Sequence, residues 1–275
     1  MRARTQRPNV VGGLVGTLWL VVTLVPIYYI VVTSVRPRAD YFTSNPLSIP
    51  AEPTLTAYRE VLAADFTKYL VNSVVVTVAT VAVTVALSLM AAYVIVHNRS
   101  ALSRRAFEVL LLGIAIPIQA TIVPVYYLIV RLGLYDTLWA LILPSIAFAI
   151  PISVLILVNF VRDIPRELFE SMRLDGASEW SLLWRLVTPM TMPAIITVAI
   201  YDALNVWNAF LFPLILTQSA DKRVLPLSLW TFQGSFTVNV PAILAAVVLS
   251  VLPLLVVYAI GRRFLVSGMT AGFSK

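Results

Sequence analysis

Cysteine is absent from the 275 residues, there is one histidine and there are three lysines. Without cysteine there are no disulfides, no thiolate metal sites and no cysteine nucleophile. The single histidine, His97, leaves no cluster from which a metal site could be built, and it reads as an interfacial residue at a helix end. Charged residues make up 12% of the chain, about half of what a soluble domain carries. No Gly-x-x-x-x-Gly-Lys-Ser/Thr loop occurs, and none of Lys68, Lys222 and Lys275 stands in such a setting, so the chain should not hydrolyse ATP itself. A Gly-x-Ser-x-Gly elbow and a His-Glu-x-x-His pair are also missing, which leaves no catalytic constellation.

Apolar sequence fills the space. Sixty per cent of the residues are hydrophobic, and six runs are long enough for the roughly 20 residues that cross a bilayer. They are Val10–Val35, Tyr69–Val96, Phe107–Val130, Leu138–Phe160, Ala194–Leu216 and Pro241–Ile260. No strand alternation is visible, and unpaired backbone is too costly in lipid, so all six should be helices. The expected fold is all-α, a polytopic membrane bundle forming a single domain over 1–275. The first run follows a charged start, as a signal peptide does. It is too long for one and lacks a small-x-small cleavage site, so it reads as a retained span. Prolines recur within the runs (Pro26, Pro117, Pro124, Pro144, Pro151, Pro213, Pro253) and should bend them.

The net charge of +7 would suggest nucleic acid in a soluble protein, but here membrane topology explains it better. With the N-terminus inside, 13 of the 20 lysines and arginines fall in inner segments and 7 in outer ones. The excess places both termini in the cytoplasm. Segment 162–190 is then cytoplasmic, and 36–68 and 217–240 are outer loops. Each outer loop is either an interfacial loop with aromatic anchors or a docking surface for an extracytoplasmic partner.

Segment 162–190 is the longest charged interruption, and it reads as folded. Pro165 suits a first helical turn, with Asp163 or Ile164 as cap. Leu168, Phe169 and Met172 share one helix face, opposite Arg166, Glu170 and Arg173. Gly176 supplies a left-handed stop after Asp175. Ser178 can cap a second helix carrying Trp180, Leu183, Trp184 and Val187, which Pro189 should end.

One acid lies deep in a span. Asp202 sits about nine residues into the fifth run, near the membrane midplane, with Asn205 and Asn208 on a shared broad face. Two readings stand: a polar lining for a solute path, or a bond to a neighbouring helix that holds the bundle together. Asn72-Ser73, at the outer end of the second run, could cap that helix or face the same path.

Segment 162–190 resembles the cytoplasmic loop of binding-protein-dependent ABC importer permeases. That loop carries Glu-Ala-Ala, then Asp-Gly-Ala, then an apolar run ending in proline. Here Glu170-Ser-Met, Asp175-Gly-Ala and Leu186-Val-Thr-Pro189 stand at that spacing. Ser34 near Arg36-Pro37, Tyr58, Asn72-Ser73, Trp207-Asn208 and Gly268–Lys275 are similar to the carbohydrate branch, of the maltose-permease second-subunit type.

The resemblance implies a type I importer permease with six transmembrane helices and a cytoplasmic coupling helix between spans four and five. It implies that Glu167, Leu168, Phe169, Glu170, Ser171, Met172, Asp175 and Gly176 meet a groove on a separate ATPase. Two ATP-binding subunits, a second permease (a heterodimer is implied) and an extracytoplasmic solute-binding protein would complete the importer in the inner cell membrane. The solute would be a sugar, with no cofactor beyond ATP on the partner subunits. Asp202, Asn205, Asn208 and Asn72 are the translocation-path candidates. Met172 departs from the small residue usual there, which points to a dedicated ATPase partner. The alternative from another class is a proton-coupled secondary transporter using Asp202, which predicts inverted repeats and several intramembrane charges.

Overall fold

A computed structural model describes residues 10–98, 100–232 and 238–271. Among them every regular element is helical and no β-strand occurs. The N-terminal residues, Arg99 and residues 272–275, on which part of the charge count and the end of the resemblance rest, lie outside the described residues. So do residues 233–237 of the second outer loop.

The chain divides into two compact units, Met1–Phe66 with Leu229–Val251, and Thr67–Ser228 with Leu252–Lys275. In the first, α1 (Val10–Ser34) is apolar all round and largely exposed, Trp19 at 73%. A helix with no polar face belongs in lipid, where that exposure costs nothing. At its end the chain turns on Arg36, which is 1% exposed. The Arg36 guanidinium donates to the Ser44 hydroxyl and to the carbonyls of Asn45, Pro46 and Ser48, so this buried cation folds the following loop around itself. The Ser34 and Tyr58 hydroxyls meet at 2.7 Å, which fastens α2 (Thr56–Ala63) to the end of α1. The Ser34, Arg36 and Tyr58 signature is therefore one local structural unit.

In the second unit, α3 (Phe66–His97) and α6 (Trp139–Arg162) are long, continuous and apolar enough to span a membrane, as is α1 in the first. The third and fifth runs are broken. The third becomes α4 (Ala101–Leu112) and α5 (Ile122–Arg131), bent by 97°. The cause is Pro117: the residue before a proline is pushed out of the helical region, and Ile116 is extended at φ −81°, ψ 114°. The helix pair α7 (Arg166–Leu174) and α8 (Glu179–Leu182) follows α6. The chain then continues through a π turn at Leu183–Val187, α9 (Thr188–Met190) and α10 (Met192–Trp207), with a 77° bend at the break between the last two. After an interruption at 208–210 come α11 (Leu211–Leu216) and α12 (Leu225–Ser228).

The last element, α13 (Val240–Ala271), carries a shorter apolar stretch at Val240–Val256. By length and composition the described residues hold three continuous spans, or five with both bent pairs, where six proline-bent ones were expected. The prolines mark where a run can bend, and the packing of the chain decides how sharply it does.

The core of the second unit forms where α3, α6 and the helix pair meet. Leu89, Ala92 and Tyr93 pack with Val154, Leu157, Val158 and Val161, and with Phe169, Leu182 and Val187. The charged segment is thus seated on two spans.

Candidate functional site

The site is α7 and the turn after it. Helix α7 begins at Arg166, with Pro165 itself in the cap position and no side-chain cap, one or two residues later than the Asp163 or Ile164 cap the sequence suggests. It ends as expected. Gly176 has φ +80°, its N–H donates to Arg173 O at 3.0 Å, and the Ala177 N–H donates to Met172 O at 2.9 Å. This paired bonding closes the last turn and satisfies carbonyls that a helix end leaves bare. Met172 and Ala177 also pack against the same core, the apolar contact that accompanies such a turn.

The expected apolar patch is divided. Phe169 is 4% exposed, and its ring lies 4.2 Å from that of His97, which in turn lies 4.4 Å from Tyr93. Phe169 therefore anchors α7 to its own chain, and the half-buried Met172 packs against the same core. Met172 also lines a surface cavity with Trp180 and Trp184. The exposed face carries Glu167, Leu168, Ser171 and Leu174, with Leu174 at 90%. A face phased on Phe169 in the sequence leaves Leu174 unmarked.

A polar strut reinforces the anchor. The Tyr93 hydroxyl donates to Glu179, and Arg173 pairs with the same carboxylate at 3.0 Å. These bonds, that from Tyr93 foremost, hold the Glu179 carboxyl below its ordinary range. Ser178 caps α8 by accepting from the Ser181 N–H. Leu183 and Val187 are buried, while Trp180 and Trp184 are exposed with nearly parallel rings 6.4 Å apart. Pro189 does not end this helix. It follows the π turn, in which the Thr188 hydroxyl donates to Leu183 O, and wider i→i+5 bonding accommodates the missing proline amide. The chain breaks at Thr191 instead.

A second feature surrounds Asp202, which is 1% exposed on α10. The Ser153 hydroxyl of α6 donates to its carboxylate at 2.9 Å, so the acid does join two helices. It also lines a cavity of about 220 Å³ with Asn205, Tyr201, Ser145, Phe148 and Phe212. Of the path candidates, this cavity brings together Asp202 and Asn205. Asn208 is exposed at the end of α10 and donates to Leu204 O. Asn72 neither caps its helix nor faces this cavity. Its amide donates to the carbonyls of Asp221 and Arg223, and the Ser73 hydroxyl accepts from the Leu225 N–H.

These bonds brace the loop after α11, and Asp136 braces it again. At φ +60°, Asp136 accepts from the backbone N–H groups of Gln218 and Ser219 at 2.8 and 3.0 Å and from the Ser219 hydroxyl. That hydroxyl, and then the Gln218 amide, hold its carboxyl below the usual range. Nothing in the linear sequence marked Asp136, since its partners lie some eighty residues away.

The helical fold, the apolar spans and the seated charged segment define a multi-pass membrane protein. The profile of the family described as "Binding-protein-dependent transport system inner membrane component" matches residues 65–270. An ABC transporter permease protein of Caldicellulosiruptor sp. (strain Rt8B.4) is 38% identical over 94% of this chain and 94% of its own length. The diacetylchitobiose uptake system permease protein of Streptomyces coelicolor is 31% identical over 93% of this chain and 85% of its own. Among solved structures, a bacterial ABC transporter involved in alginate import superposes with a TM-score of 0.81 at 20% identity, covering 96% of this chain and all of that one.

The chain belongs to the binding-protein-dependent transport system inner membrane component family. It is a permease subunit of an ABC importer and a transport component without its own ATPase site. The comparisons give no support to the proton-coupled alternative.

Proposed function

We propose that this chain is the sugar-translocating permease subunit of its importer, with α7 as the coupling helix between the fourth and fifth of six spans. In this reading α4 with α5 forms the third span, the fifth begins after the bend at Thr191, and the last lies in α13. One observation carries the reading. Helix α7 presents Leu168, Ser171 and Leu174 outward while Phe169 and Glu179 tie the same helix pair to His97 and Tyr93 of α3. A push on that outer face is thereby delivered to a span through packed rings and a hydrogen bond, the physical requirement for a lever.

The proposed partners are a second permease subunit, two ATP-binding subunits in whose grooves the coupling helices lie, and an extracytoplasmic solute-binding protein that meets the outer loops. ATP stays on the partner subunits and no cofactor is assigned to this chain. In this reading one permease domain spans the chain in the inner membrane, both termini are cytoplasmic, 162–190 is the cytoplasmic coupling loop, and 36–68 and 217–240 face outward. A sugar substrate is supported by the relatives' names: diacetylchitobiose uptake, sulfoquinovosyl glycerol transport and glucose import. Asp202 and Asn205 are proposed to line the path.

Glu170→Ala tests the assignment. Uptake should be abolished while membrane insertion is intact. If transport and ATPase co-purification both survive, Glu170 has no coupling role.

A further inference from the structure

Beside α7 lies a second cavity, of about 520 Å³, whose lining holds none of the outward Leu168, Ser171 and Leu174 and no residue of the Asp202 cavity, although it does include Glu170 of the coupling set. It is lined by Arg162, Arg166, Arg173, His97, Phe169 and Glu170 among others. Arg162 is the last residue of α6 and His97 the last of α3, so the cavity opens at the ends of two membrane-spanning helices. Three guanidinium groups face one lining carboxylate. Arg173 is paired with Glu179, but Arg162 and Arg166 have no carboxylate within ion-pair distance among the described residues. The Arg162 guanidinium sits 5.7 Å above the Phe107 ring, which supports the cation without neutralising it.

We infer that this cavity binds a phosphate-bearing anion, bridging Arg162 at the end of α6 and Arg166 on α7. Planar guanidinium forks match phosphate oxygens in pairs, and two of them unneutralised in one cavity attract an anion more strongly than isolated surface charges do. The position at span ends suits a lipid headgroup, and a free phosphate offers the same oxygens. An anion held there would stiffen the joint between α6 and α7. That consequence rests on α7 being the coupling helix, whereas the binding does not.

The test uses the complete importer in nanodiscs. One arm compares phosphatidylcholine alone with phosphatidylcholine containing phosphatidylglycerol, reading retained lipid by native mass spectrometry. The other titrates inorganic phosphate in the neutral lipid. Arg162→Gln and Arg166→Gln should each weaken retention about tenfold, the effect of losing one charge-assisted contact. Glu170→Gln should strengthen it, because the one opposing lining charge is gone. Retention confined to phosphatidylglycerol identifies a headgroup site, and binding of inorganic phosphate in neutral lipid identifies a free anion. If acidic side chains of the ATPase subunit fill the cavity instead, neither ligand binds and the inference fails. It also fails if the arginine and Glu170 variants shift binding in the same direction or not at all. Retention is read without transport, so an uncoupled importer would leave the binding result standing.

Discussion

Gly176→Ala probes the turn that is proposed to serve coupling, with a single methyl group. The glycine has φ +80° and no atom within 4 Å of where a Cβ would lie, so the cost is conformational and not a clash. An L-residue held in the left-handed region costs about 1–2 kcal/mol. The two hydrogen bonds that close the turn are each worth about 1 kcal/mol net, so the methyl group cancels most of what holds the turn shut. The α7–α8 joint should then fray, and with it the register of Leu168 and Leu174. Gly133 is the matched control, because it has φ +68° with equally open surroundings and lies outside 162–190. Both alanine variants should lose a few degrees of thermal midpoint. Gly176→Ala alone should lower the ATP hydrolysis stimulated by binding protein and the co-purification of the ATPase. Gly176→Asn should recover much of both, because asparagine tolerates the left-handed region, and Gly176→Val should abolish uptake. If Gly133→Ala reduces co-purification as much as Gly176→Ala, the turn has no special part in coupling and the reasoning is wrong.

Asp136 accepts three hydrogen bonds in its ionised form, and the depressed carboxyl contributes stability that is present above the ordinary carboxylate range. The contribution is lost as pH falls through the lowered value. Amide exchange at 217–219 should accelerate only under acid below that range in the wild type, and at neutral pH in Asp136→Ala; an unchanged loop in the variant would deny it the bracing role. A Cβ at Gly113 would lie 2.9 Å from Pro151 Cγ, so Gly113→Ala should destabilise the α4–α6 contact by about 1–3 kcal/mol, measurable as a lower unfolding midpoint. Asp202→Asn keeps the bond from Ser153 within reach but removes the charge, and should alter uptake kinetics. Unchanged kinetics and an unchanged pH profile would leave Asp202 a purely structural bond between α6 and α10.

Much of this protein is written in local sequence. Apolar length alone marks α1, α3 and α6, because a span must be long and apolar wherever it sits. The Gly176 stop and the Ser178 cap are equally legible, since each depends on the conformational freedom or the side-chain oxygen of one residue. The spacing from Glu170 through Gly176 to Pro189 pointed to the family, because a docking helix needs its residues in fixed register.

What the tertiary structure decided is which face of that helix is free. Phe169 and Met172 share an apolar face with Leu168 in the sequence, yet the core buries the first and half-buries the second, leaving Leu168 with Leu174 outside. The same holds for Asn72 and Asp136, whose bonds cross more than eighty residues of chain. Periodicity shows that a side chain has a preferred side. Only the arrival of another helix or loop determines whether that side is core, brace or docking surface.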